Sequence, residues 1–176
     1  MKRGELSKKN GFTLIEMLIV VIVLGILSAI IIPQIAVSTD DAKLNTLETN
    51  LTGCRKAIEL YYYEHGSTYP GDAVPTTKPI DVTDTTEAFV AQLVRYTDAA
   101  GNIANAKTAV YKYGPYIKNG KLPTNPYNDK FDVVVDNTET DITVRDSSAS
   151  DNGWLFYSKT GVFIAADGTA GIHDNL

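Results

Sequence analysis

Glu16 is the residue in this chain best placed to do chemistry. It is a carboxylate four residues into an apolar run, and no further charge follows it until Asp40. An anion in hydrocarbon is costly, so a carboxylate kept there implies a partner. Ahead of it lies a short basic leader. Lys2, Arg3, Lys8 and Lys9 against Glu5 give residues 1–11 a charge of +3, leaving −8 for residues 12–176 out of a net −5. The junction Gly11-Phe12 separates leader from apolar run. A glycine there offers a protease an extended, uncluttered backbone at the scissile bond. Cutting at that bond frees an α-amino group on Phe12, with a reference pKa of about 7.7–8.0, four residues from Glu16. A secretory signal would instead be cut after its apolar core. Here the core leads through Pro33-Gln34-Ile35-Ala36 and Asp40-Asp41 into a further helical pattern, so a cut there would remove half of one long helix.

Other chemistry is scarcely represented. The two histidines, His65 and His173, form no metal-binding pair, and the chain has no Gly-rich phosphate loop and no Gly-x-Ser-x-Gly elbow. His65, at a helix end, reads as a contact to the helix dipole. Cys54 is the sole cysteine, which rules out an intrachain disulfide and reads as a small buried apolar residue. Tyr61, Tyr62 and Tyr63 face three directions on a helix, so they read as core and rim packing and not as an aromatic conduit. An acidic body whose basic cluster is confined to the leader argues against nucleic acid as a partner. An enzyme is a poor reading of this inventory.

These residues need elements to position them. Phe12 to Ile32 is long enough to span a bilayer as a helix, and basic residues on its N-terminal side place that end in the cytoplasm. Gly25 and Ser28 permit close helix approach. Gly25 and Pro33 bracket a segment suited to bending or melting within an assembly. After Asp41, Leu44, Leu47, Leu51, Cys54, Ile58 and Tyr61 recur at steps of three and four, an apolar stripe that predicts packing against a domain. Gly66 ends the helix and Pro70 follows. The organisation expected is a leader over 1–11, a long helix over 12–65 and a globular domain over 66–176. The helix divides into a membrane or filament-core half (12–33) and an amphipathic half (34–65). From Phe12 to Glu64 such a helix measures about 80 Å, a rod of little use to a small soluble domain and of obvious use to a filament.

Within the domain, Asp84 with Glu87 predicts a capped short helix over Phe89, Leu93 and Tyr96. Asp98 to Asn105 reads as a turn. Two hairpins are expected: Phe131–Val135 with Ile142–Arg145, and Trp154–Tyr157 with Val162–Ala165 across Ser158–Gly161. The fold class is α+β, a long helix packed on a small antiparallel sheet.

The stretch Lys8-Lys9-Asn10-Gly11-Phe12-Thr13-Leu14-Ile15-Glu16 resembles the processing motif of type IV pilins and type II secretion pseudopilins. The likeness continues through Gly25, Ser28-Ala29, Pro33 and Tyr69-Pro70, covering residues 8–70. It implies a pilin-like fold, cleavage after Gly11 by a membrane prepilin peptidase and N-methylation at Phe12. It further implies insertion in the inner membrane with the domain periplasmic or extracellular, an assembly platform, and a filament built with copies of itself and other pilins or pseudopilins. The natural partner of Glu16 is then the amine of a neighbouring subunit, which would set axial register; a side chain reaching to the headgroups is the alternative. Asp167-Gly-Thr-Ala-Gly-Ile-His-Asp174, with Asp146 and Asp151 nearby, faintly resembles the calcium loop of major pseudopilins. It is shorter than that loop and lacks EF-hand spacing, so solvated turn aspartates are favoured over a bound ion. No other cofactor is implied. A pseudopilus of type II secretion is preferred to a surface pilus for adhesion, motility or DNA uptake. A bitopic membrane protein with a periplasmic binding domain is the reading from another class.

Overall fold

The computed structural model describes residues 11–144 and 152–166, with side chains for all of these except 30–38. The chain divides into two compact units, Met1–Ala42 and Lys43–Leu176.

Helix α1 runs from Leu14 to Glu64. In the first unit the described apolar side chains face outward, from Leu14 (86% exposed) to Leu27 (48%), so among the described residues of this unit none is buried. Among the described residues no helix is long and apolar enough to cross a membrane. The described side chains of the apolar run stop at Ala29, although Ile30–Ile32 continue it in sequence. Ser28 Oγ donates back to Leu24 O at 2.7 Å, satisfying its hydroxyl inside the helix.

In the second unit the expected stripe is the core. Leu47, Leu51, Cys54, Ile58 and Tyr61 are all within 2% of complete burial, packed with Phe89, Leu93, Trp154, Phe156 and Phe163. α1 ends as its sequence predicts. Gly66 takes φ +63°, and the Ser67 N–H reaches Tyr62 O at 3.0 Å, the six-to-one bond of a Schellman close.

α2 spans Thr85–Val94, and Asp84 Oδ1 accepts the Glu87 N–H at 2.8 Å. The Glu87 carboxylate returns the bond one residue earlier than a standard capping box, to Thr83 N–H and Oγ1. Tyr96 is not on this helix. It opens β1 (Tyr96–Thr97), which pairs antiparallel with β2 (Ile103–Ala104). The expected turn lies between them, with Asp98 Oδ1 accepting the Ala100 and Asn102 N–H groups.

The main sheet is β3 (Val133–Asp136), β4 (Trp154–Tyr157) and β5 (Val162–Ala165), in the order β3-β4-β5. The second expected hairpin is present with the bounds predicted, Trp154 opposite Ala165 and Tyr157 opposite Val162. The first is not. β3 pairs parallel with β4, Val133 beside Trp154, which makes the sheet mixed. Ile142 and Thr143 form a turn, and Arg145 lies outside the described residues. The reason is competition for an edge. Gly153 and Trp154 N–H both donate to Asp132 O, so β3 is tied to a fully buried central strand and not to a polar segment with little apolar surface to bury. Arg55 of α1 donates from Nε and Nη2 to Phe163 O at 3.1 and 2.8 Å, tying the helix to β5.

Candidate assembly and processing site

Thr13 precedes the first residue of α1, and Glu16 is the third residue of the helix. The two close a reciprocal box. Glu16 Oε2 accepts from Thr13 N–H and from Thr13 Oγ1, both at 2.7 Å, while Thr13 Oγ1 accepts the Glu16 N–H at 3.3 Å. Two helix-start donors that no backbone carbonyl could satisfy are thereby paired. Sequence reasoning sought the partner of Glu16 in another molecule. Within the chain its partner is Thr13, and the signal was available in the Thr-x-x-Glu spacing.

The box uses one carboxylate oxygen. Among the described residues nothing is hydrogen-bonded to Oε1, so Glu16 is fixed by Oε2 and keeps a second acceptor free for a cation. Gly11 has open space where a Cβ would stand, and Phe12 is 79% exposed, so the Gly11-Phe12 bond is sterically accessible on this side. A Cβ at Gly25 would likewise meet nothing, which leaves a flat spot on α1 for a close neighbour. Pro33 lies within the helical span, and its side chain is not described. Lys8, Lys9, Asp146, Asp151, Asp167 and Asp174 fall outside the described residues.

Elsewhere the chemistry is buried and quiet. Burial pushes the Cys54 thiol up to about 12, far from a reactive thiolate. His65 meets the last turn of α1 as expected, with Nδ1 2.8 Å from Tyr61 O, but as a buried ring and not as a surface cation. Desolvation holds its pKa below the usual histidine range. Tyr61 is buried, Tyr62 half-buried and Tyr63 76% exposed, the three directions a helix imposes. Among the described residues no three metal-ligating side chains converge. Asn128 Nδ2 donates to both Asn152 O and Ala166 O at 2.8 Å, which holds together the chain positions bordering the two acidic segments.

Comparison with known proteins matches residues 6–32 to the prokaryotic N-terminal methylation motif. Type II secretion system core protein G of Pseudomonas aeruginosa is 37% identical over 54 residues, 31% of this chain and 38% of that protein, so this alignment spans under half of the relative. The Vibrio cholerae protein of the same name is 26% identical over 72% of this chain and 71% of its own length. Type IV major pilin protein PilE1 of Neisseria gonorrhoeae is 28% identical over 65% of this chain and half of its own length. No solved structure matches the chain.

Proposed function

We propose that the chain is a member of the family of type IV pilins and type II secretion pseudopilins and the structural subunit of a helical filament built from the inner membrane, a reading supported by its methylation motif and by its likeness to both kinds of protein. Prepilin peptidase cuts between Gly11 and Phe12, and the new terminus at Phe12 is N-methylated. Before assembly the subunit sits in the lipid with residues 1–11 in the cytoplasm and the domain beyond the membrane. The assembly platform then transfers it into the growing filament.

The observation that carries this reading is the half-used carboxylate of Glu16. Thr13 holds one oxygen at 2.7 Å and so fixes the side chain at the start of α1. The other oxygen is left for the Phe12 ammonium of an adjacent copy. In a low-dielectric helical core that attraction is strong, and a mispositioned copy would strand both charges. Chain-to-chain register thus follows from a side chain pre-set within its own helix. Gly25 and Pro33 supply the close approach and the helix adjustment needed by packed neighbours.

Of the two filament types, the pseudopilus of type II secretion is the reading adopted. The Vibrio secretion protein aligns over 72% of this chain, against 65% for the Neisseria pilin. The pilin likeness keeps the surface pilus as the second reading. Intact mass of the protein from its native cell tests the processing step: the expected terminus is methylated Phe12, and a mature chain still starting at Met1 refutes it. Electron microscopy of sheared cells separates the filament types, since long surface fibres of this protein would overturn the pseudopilus assignment.

A further inference from the structure

The chain holds three Asn-Gly pairs, and the fold treats two of them in opposite ways. Asn119-Gly120 lies in an exposed turn between Lys118 and Lys121. Among the described residues neither the Asn119 side chain nor the Gly120 N–H makes a hydrogen bond of ordinary geometry. Gly120 takes φ +69°, and a Cβ there would meet nothing within 4 Å. Asn152-Gly153 is the reverse. Gly153 is buried, its N–H donates to Asp132 O at 3.1 Å, and its carbonyl accepts Asn125 Nδ2 at 2.9 Å. A Cβ at Gly153 would collide with Lys130 O, and Asn152 O is held by Asn128 Nδ2 at 2.8 Å. The third pair, Asn10-Gly11, falls outside the described residues and departs with the leader in the processing proposed above.

The backbone nitrogen that follows an asparagine is one ring closure away from the side-chain carbonyl carbon. Glycine in that place removes the Cβ that would hinder the approach and frees the backbone to make it. The nitrogen must also be uncommitted, because an N–H bound to a buried carbonyl has to break that bond before it reacts. Gly120 meets both conditions, and Gly153 fails the second. The ammonium groups of Lys118 and Lys121, on either side, favour the amide anion that attacks. We propose that Asn119 is a self-modification site, at which the exposed Asn119-Gly120 turn converts to aspartate and isoaspartate through a cyclic imide. The Gly120 nitrogen bonds to Asn119 Cγ, and the side-chain nitrogen leaves as ammonia, carrying the proton that the Gly120 nitrogen gave up. Water then adds across one of the two imide C–N bonds. Breaking the bond to Cγ gives aspartate; breaking the bond to the Asn119 main-chain carbonyl carbon gives isoaspartate.

The turn is anchored on both sides, which confines the change to the surface. Upstream, the Tyr116 and Ile117 N–H groups both donate to Leu93 O at 2.9 Å. Downstream, Leu122 is 1% exposed and Pro123 O accepts Trp154 Nε1 at 2.8 Å. Between these anchors the open space at Gly120 leaves room for the extra main-chain carbon of isoaspartate. The product also carries a new carboxylate beside Lys121, whose ammonium lies 4.6 Å from the centre of the Phe131 ring. A turn presenting two lysines and no acid thus acquires an anion, while the core beneath it keeps its contacts.

Peptide mapping by mass spectrometry tests the site, with the full chain held in detergent at mildly alkaline pH and then digested with chymotrypsin. The fragment 117–122, cut after Tyr116 and Leu122, should give two products, each heavier by about one mass unit. The fragment ending at Trp154, which carries Asn152, should react at least about tenfold more slowly, since its nitrogen is released only by local opening. In urea the two rates should converge. Asn119→Gln should lose the reaction, because its longer side chain closes a less favourable ring. An unmodified fragment 117–122, equal rates for the two pairs in the folded chain, or a persistent heavier product in Asn119→Gln overturns the proposal. Asn119→Asp carries the product's charge on an unaltered backbone and should melt with the unaltered chain; a lower midpoint would show that the change reaches the core and overturn its confinement to the surface.

Discussion

Replacing Gly161 by alanine measures how firmly the segment after α1 is clasped to the sheet. Gly161 closes the β4–β5 turn at φ +76°, and Gly66 closes α1 at φ +63°. Both positions sit in the left-handed region, where a side chain costs about 1–2 kcal/mol, partly offset by about 0.4–1 kcal/mol from a stiffer unfolded chain. Those terms are common to the two sites. What differs is the space. A Cβ at Gly66 meets nothing within 4 Å, whereas at Gly161 the Cζ, Oη and Cε1 atoms of Tyr69 all stand inside 3.0 Å. Tyr69 cannot simply swing aside, because it stacks on Tyr62 at 4.3 Å and sets its edge on Phe156 at 6.1 Å. Forcing such a ring out of a packed setting costs about 1–3 kcal/mol beyond the backbone term.

Gly161→Ala should therefore destabilise by about 1–3 kcal/mol more than Gly66→Ala. At this size that amounts to roughly 3–4 °C of thermal midpoint per kcal/mol. Near-UV circular dichroism of the full chain in detergent reads both the midpoint and the aromatic packing. Adding Tyr69→Ala to Gly161→Ala should cost less than the two changes summed, since the truncated side chain no longer meets the new methyl. Equal midpoints for Gly161→Ala and Gly66→Ala, or simple additivity with Tyr69→Ala, would refute the clasp.

Leu51 and Leu60 share α1 but are 1% and 51% exposed, so Leu51→Ala should cost about 2–5 kcal/mol in urea unfolding and Leu60→Ala under about 1 kcal/mol. Glu16→Gln retains an acceptor for the Thr13 box but removes the charge, so it should leave the start of α1 protected in hydrogen exchange and stop filament assembly; normal filaments would refute charge pairing. Thr13→Val should do the reverse, fraying the first turn while leaving the charge in place, and hydrogen exchange at Leu14–Met17 reads it. Calcium added to the full chain should leave the thermal midpoint unchanged, and a rise would locate an ion in the acidic segments.

What the sequence revealed and what it hid follow from the range of the interactions involved. The stripe from Leu47 to Tyr61, the Asp84 cap, the Gly66 close and the β4–β5 hairpin are each set by residues a few positions apart, and each was readable. The intrachain contact of Glu16 was equally local, carried by the Thr-x-x-Glu spacing to Thr13 only three residues upstream. β1 and β2 were missed because two-residue strands carry no alternation to detect, and Tyr96 fitted the helical period of Phe89 and Leu93.

The mistaken first hairpin is the instructive case. Phe131–Val135 reads correctly as a strand, but its partner is chosen by groups remote in sequence. The two donors on Asp132 O come from Gly153 and Trp154, at 3.1 and 2.9 Å. Gly153 O in turn accepts Asn125 Nδ2 at 2.9 Å, and Trp154 Nε1 donates to Pro123 O at 2.8 Å. The segment leading into β3 is thus wired to the start of β4 before either strand begins, and that wiring fixes both strands in the same direction. One clue lay in plain view. Residues 137–153 are long enough for the crossover that parallel strands require, whereas a hairpin closing over Asp136–Asp141 would have needed none of the chain beyond Arg145. The polar segment rich in aspartate and threonine had little to bury at the edge of β3: Ile142 stays exposed, and Val144 packs only in part, against Leu155, Tyr157 and Ile164. Trp154-Leu155-Phe156-Tyr157 had four large side chains to bury, and the strand with the most apolar surface took the central position.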